Sequence, residues 1–167
     1  INSIYCGNPA DQLAPVWREV AQLADGKFHA IDKDNGAVVI ETPFDAQIQA
    51  LNAQVNQTYV PYGEGGKRAW ANQEAQDKNA IGLNSQVAAE RALCKVTGSY
   101  DNARWDLLDA CRAQTVKLTE LKQEDLPENL RGRTTAELEK FIADLQTQRD
   151  ALHKQIQDLS VQRQKCI

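Results

Sequence analysis

The chain has no methionine, only two histidines, four cysteines with no close-spaced pair, and aromatic residues at 6% of its 167 positions. Two histidines are too few for a multi-histidine metal site, and neither stands at a recognisable spacing from a nucleophile, so no active site is expected in this segment. His29 falls on an expected strand and His153 on a surface position of an expected helix, which makes both structural or solvated. The lack of a C-x-x-C pair excludes zinc ribbons and thiol redox motifs. No apolar run approaches the roughly 18 residues of a membrane span, and no charged segment followed by an apolar one marks a signal peptide. The absence of methionine, and the opening directly on the run Ile1 to Cys6, lead to the expectation that the chain is a piece of a longer protein.

A 42% hydrophobic and 25% charged composition describes a folded chain with a lean core. The net charge of −4 argues against nucleic acid or an anionic membrane as partner. Residues 1–65 carry three basic groups (Arg18, Lys27, Lys33) against eight acidic ones, and residues 66–167 carry sixteen against fifteen. With Gly63, Gly65 and Gly66 at the change, the expected boundary lies at about 62–66, giving a front segment 1–62 and a helical extension 63–167.

In front, Ser3 to Cys6 reads as a short strand. Trp17, Val20, Ala21 and Ala24 stand at helical spacing, with Gly26 at the place of a C-terminal glycine cap. Lys27 to Ile31 and Ala37 to Glu41 read as strands around a turn at Asp32 to Gly36. Thr42-Pro43-Phe44-Asp45 starts an amphipathic helix through Phe44, Ile48, Leu51, Val55 and Tyr59, with Thr as N-cap and Pro at the first helical position.

Behind it the pattern predicts helices over about 67–97, 102–114 and 135–165. The first is alanine-rich and short of large aliphatics, so it must pack shallowly; with the second, which carries Trp105, Leu108 and Cys111 on one stripe, it predicts a helical hairpin. The third opens on a capping box, Thr134 and Glu137. It then repeats in steps of four and three through Leu138, Ile142, Leu145, Arg149, Leu152, Ile156, Leu159, Arg163 and Cys166. Such a heptad seam wants a partner helix, in a register that lets the two arginines reach water or acidic groups. At about 1.5 Å per residue the helix is roughly 45 Å long, more than a small core needs.

Two loops resemble ligand motifs and fail on spacing. Asp32 to Gly36 would begin a calcium loop, but its glycine comes one residue early and Pro43 stands at position twelve. Gly63 to Arg68 lacks the phosphate-loop spacer and has Arg in place of Ser or Thr. Cys94 and Cys111 flank the expected hairpin turn, and a disulfide there would staple two weakly apolar helices. A symmetric turn near 99 instead sets Cys94 opposite Trp105, and a bridge needs Cα atoms within about 7 Å. Cys6 is expected as a small buried apolar residue. Acidic residues interleave the basic ones on the last helix, which reads as a solvated face rather than a nucleic-acid surface.

Ile4-Tyr5-Cys6-Gly7, then Trp17 with Ala21 and Ala24, then Gly26 to Asp32, resemble the closing part of a von Willebrand factor type A domain, more narrowly of bacterial exported proteins with a helical extension. The resemblance covers about residues 1–62. It extends through the tail by general pattern, at Trp105 to Asp109 and Leu126 to Gly132. It implies the α/β edge of a Rossmann-type parallel sheet followed by a mainly helical, partly coiled-coil extension, mostly α overall. It also implies adhesion or assembly through protein partners in an exported, periplasmic or cell-surface setting. The family's magnesium-type adhesion site would lie upstream of residue 1, so no metal ligand and no cofactor is carried over.

The expectation is therefore a non-enzymatic interaction module that docks through the seam Leu138, Ile142, Leu145, Leu152, Ile156 and Leu159, onto itself or onto another protein. An intramolecular helical pairing is the equal alternative for that seam. From another class, the segment is the scaffold of an enzyme whose catalytic residues lie upstream. A lone strand, helix, strand unit cannot cover both faces of parallel strands, so something must complete the sheet.

Overall fold

Alternation along two short strands sets the geometry of the front of the chain. In β1 (Ser3–Cys6) and β2 (Phe28–Ile31), Ser3, Tyr5, Phe28 and Ala30 are at least partly covered, whereas Ile4, Cys6, His29 and Ile31 are exposed. The computed structural model describes residues 1–31 and 39–167, and pairs the strands in parallel with Ser3 opposite Phe28 and Cys6 opposite Ile31. The connection is α1 (Ala14–Leu23), which sets Ala14 and Ala21 inside and takes the Ser3 hydroxyl onto the Trp17 carbonyl at 2.7 Å.

The left-handed residue that ends α1 is Asp25 (φ 48°), not the expected Gly26. The Asp25 and Gly26 N–H groups donate to the Gln22 and Ala21 carbonyls at 3.2 and 2.8 Å, a complete Schellman pattern. Gly26 is required for another reason: a Cβ there would stand 1.7 Å from the Ile1 carbonyl oxygen.

The expected turn at Asp32 to Gly36 and the start of the third strand lie outside the described residues. Val39, Ile40 and Glu41 have no regular structure, and the Ile40 N–H donates to Gln86 Oε1 at 2.9 Å.

The chain divides into Ile1–Val39 and Ile40–Ile167, so the boundary expected at 62–66 is displaced by one helix. The cause is α2 (Asp45–Asn56), whose Ile48 and Val55 pack with Ala89, Ala92, Leu152 and Ile156. Gly63 has the positive dihedral expected there (φ 69°), but it opens α3 (Gly63–Leu83) directly. Before α2, Asp45 accepts from the Thr42 N–H and hydroxyl at 3.1 and 2.8 Å, so the helix begins two residues later than its Pro43 signal.

The single helix expected over 67–97 is two. Asn84, in extended backbone, ends α3 and accepts from the Val87 N–H at 2.8 Å, which starts α4 (Ser85–Lys95). Thus α3 and α4 pack on each other, and Ala88, Ala89 and Ala92 bring α4 close to its neighbours without large side chains. The helix expected over 102–114 shrinks to α5 (Leu107–Arg112), capped by Asp106. Its stripe is divided, with Trp105 packed against Tyr59, the tilted rings 5.3 Å apart at their centres, while Leu108 and Cys111 join a separate cluster.

The last helix, α6 (Thr135–Gln164), starts on the expected capping box, the Thr134 N–H donating to Glu137 Oε2 at 2.7 Å and the Glu137 N–H to Thr134 Oγ1 at 3.3 Å. Leu138 and Ile142 enter the cluster with Leu107, Leu108, Leu126 and Leu130, whereas Leu152 and Ile156 enter the one with α2 and α4. The helical part therefore has two apolar clusters threaded on one helix, and the chain is mostly helical with a small parallel sheet.

The Asp25 geometry yields a directional test. Asp25→Gly should stabilise the front unit by about 1 kcal/mol, read as roughly fivefold slower hydrogen exchange of the β1 and β2 amides. Gly26→Ala should speed that exchange by displacing residue 1.

Candidate functional site

Every seam position from Leu138 to Arg163 is covered by this chain's own segments, whereas Cys166, the last of the repeat, is exposed. Leu138, Ile142, Leu152 and Ile156 are buried, and Leu145 and Leu159 are half-buried against the same two clusters. The arginines of the seam do meet acidic groups, but those groups belong to the same chain. Between the clusters, Arg149 is 2% exposed and donates to Asp106 Oδ2 at 2.6 Å, Asp109 Oδ1 at 3.1 Å, and Thr58 Oγ1 and O at 2.8 and 2.7 Å. Its guanidinium lies 4.4 Å from the centre of the Tyr59 ring. Two heptads on, Arg163 donates to Asp45 Oδ1 at 2.8 Å and Glu90 Oε1 at 2.7 Å.

Asp106 is fully buried and ties three segments. It accepts from the Val60 N–H at 2.7 Å, from the Asp109 N–H at 3.2 Å as the cap of α5, and from Arg149. A third polar cluster centres on Asp77 of α3, which accepts from Arg91 and Lys95 of α4 at 2.6 and 2.8 Å and from Asn52 and Asn56 of α2. Burial would raise the Asp77 carboxyl, but the bonds from Lys95 and Asn56 outweigh it and hold it below the ordinary carboxylate range. Asp45 is likewise held low, because bonds from Thr42 and Arg163 overcome its burial. Asp109 goes the other way, raised by burial and by the charge of Asp106. Burial pushes the Lys95 ammonium below its ordinary value against the pull of Asp77.

Beside Arg149 a cleft of about 520 Å³ opens between the end of α4, the following loop, α5 and α6. Tyr59, Lys95 and Arg149 form its buried floor, with Tyr100 and Asp109 half-buried in its wall and Arg112 and Lys154 exposed at its rim. Burial raises the pKa of the Tyr59 hydroxyl, so it stays protonated at neutral pH. His153, expected on a solvated surface, is half-buried here, and its Nε2 is enclosed without a hydrogen-bond partner. Burial and then the Arg149 charge lower its pKa.

Cys94 and Cys111 are free thiols, so the expected disulfide is not formed: Cys94 faces solvent on α4, while Cys111 packs into the Leu107 and Leu108 cluster. Cys6, expected to be buried, is exposed on the uncovered sheet face. Among the described residues no three His, Cys, Asp or Glu side chains form a group able to hold a metal ion, and no helix is long and apolar enough to cross a membrane.

In the front unit several large apolar side chains point outward. Leu13, Val16, Trp17, Val20 and Leu23 form one stripe on α1, with Trp17 46% and Leu23 82% exposed. On the sheet face away from α1, Ile4 and Ile31 are 59% and 50% exposed. Sequence reasoning places Trp17 and Val20 at helical spacing without showing that they face outward. Asp77, Lys95 and Asp106 it missed altogether, and only the position of Asp106 ahead of Leu107 and Leu108 carried a capping signal. No family model, curated protein or solved structure matches this chain.

Two outcomes follow for the buried ions. Arg149→Met leaves Asp106 buried without its cation and should cost about 3–5 kcal/mol in urea unfolding, whereas the paired change Arg149→Met with Asp106→Leu should recover part of that loss. Asp45 and Asp77 have folded pKa values below their unfolded ones. Their contribution is present above the unfolded value near 4 and lost as pH falls through the folded values. Raised Asp109 opposes this weakly, and a stability profile measured from pH 6 to 2 should fall less steeply in Asp45→Asn.

Proposed function

We propose that the chain is a non-enzymatic protein–protein interaction or assembly module that binds through its front unit rather than through α6. The observation that carries this reading is the uncovered apolar surface of β1, α1 and β2. Parallel strands are found covered on both faces, yet Ile4 is more than half exposed and Ile31 half exposed. An amphipathic helix normally turns its apolar stripe inward, yet Leu13, Val16, Trp17, Val20 and Leu23 face out. The partner this surface fits is a protein segment that adds a strand beside β1 or β2 and lays apolar side chains over the open face. Burying each large side chain fully would contribute about 1.5–3 kcal/mol.

The edge of a von Willebrand A-type sheet is the finer form of this proposal, supported by the parallel pairing of β1 and β2 around a crossover helix. An exported setting rests on that resemblance alone, because the free Cys94 and Cys111 remove the disulfide argument for an oxidising compartment.

A photo-cross-linking residue placed at Trp17 or Ile31 of the chain in its own cells should give protein adducts, and one at exposed Gln148 should not. Adducts at 17 and 31 no more abundant than at 148 would remove the basis of the proposal.

A further inference from the structure

The cleft beside Arg149 lies in the helical part, and its chemistry is independent of the front unit's surface. Its acidic side chains are already engaged. Asp109 accepts from Arg149 on Oδ1 and from the Asn102 N–H on Oδ2, Asp101 accepts from the Ala103 N–H, and Asp150 accepts from Gln146. The carbonyls at the end of α4 are engaged as well: Thr97 donates to Cys94 O through its N–H and its hydroxyl, and Gln157 donates to Val96 O.

The cations at the rim are not engaged in the same way. Arg112 has only a 3.5 Å contact to Asp150, with both side chains about half exposed or more, and Lys154 forms no ion pair among the described residues. Two further cations, Lys95 and Arg149, lie in the floor. Asp77, the partner of Lys95, and the buried Asp106 that accepts from Arg149 do not line the cleft, but Asp109, the second partner of Arg149, does, with Asp101 and Asp150; four lining cations thus face three lining carboxylates, a small positive bias. His153 lines the same cleft as Lys95, Arg112, Arg149 and Lys154 and as Asp101, Asp109 and Asp150; burial and then the Arg149 charge oppose its protonation, Asp150 favours it, and Arg112 and Lys95 oppose it more weakly.

We infer that this cleft binds a small molecule bearing an oxyanion, carboxylate or phosphate, held between Arg112 and Lys154 over the Tyr59 and Tyr100 rings. Its volume of about 520 Å³ suits a metabolite-sized ligand and not a polymer. Charge-assisted bonds from a guanidinium and an ammonium supply the recognition, and an anion placed there offsets the part of the downward His153 shift that the neighbouring cations add to burial. By linkage, such a ligand raises the His153 pKa and binds more tightly as pH falls towards it.

The test is a titration of the full chain by ¹H–¹⁵N spectroscopy with inorganic phosphate and, separately, succinate, against chloride at matched ionic strength. Saturable shifts at Thr97 to Asp101 and around His153 are expected, with an upward move of the His153 pKa. The double variant Arg112→Gln, Lys154→Gln should bind about tenfold more weakly or worse with its thermal unfolding unchanged, since both side chains are exposed. A response to phosphate alone identifies a phosphoryl ligand, one to succinate alone a carboxylate, and a response to both supports the shared oxyanion chemistry. Shifts no larger than those in chloride, an unmoved His153 pKa, or equal binding by the double variant would each overturn the inference.

Discussion

The contact between Arg149 and Asp106 sets the arrangement of the helical part. A guanidinium at 2% exposure and a fully buried carboxylate are tolerable together because each has further partners: Thr58 for the arginine, the Val60 and Asp109 N–H groups for the aspartate. The pair occupies the place where one apolar cluster ends and the other begins. It therefore joins the end of α2, the start of α5 and the middle of α6 at one point. Replacing hydrophobic burial there with ion pairing adds little net stability, but it makes any shifted placement of α6 costly, because a slip would leave both charges buried and unpaired.

Arg163 repeats the device at the other end of α6. With Asp45 and Glu90 it fixes that helix against α2 and α4, two heptads away from Arg149. Asp77 performs the same task between α3, α4 and α2 through Lys95, Arg91 and the two asparagines. Alanine-rich helices with few large aliphatics gain orientation from such pairs where their small apolar faces cannot specify it.

Local signals were legible in the sequence, and long-range ones were not. The Thr134 and Glu137 capping box and the four-three spacing of α6 can be read from neighbouring residues, and the structure reproduces both. What covers the seam cannot be read that way, because a heptad repeat states that a face is buried and not by what. Arg149 is separated from Thr58 by 91 positions and Arg163 from Asp45 by 118. The break at Asn84 was written in a residue that caps well but also occurs inside weak helices. The Asp25 cap was hidden because the adjacent glycine is the usual occupant of a left-handed position. In the front unit, the pattern of α1 was recognised, but an amphipathic stripe does not disclose that its own sheet lies on the other side.

The span between Arg163 and Asp45 has a consequence for how the protein comes into being. During synthesis α2, α3 and α4 are complete long before α6, and each has its cap or its local hydrogen bonds to form early. Asp45 and Asp106 must nevertheless wait, without their cations, until the final helix has been made. Until then the part of the Ile48 and Val55 face that Leu152 and Ile156 will cover, and the Leu107 and Leu108 face, lie open together, an interval in which a holding chaperone has apolar surface to grip. Closure is then a single late event, in which one helix buries two clusters and neutralises two carboxylates at once.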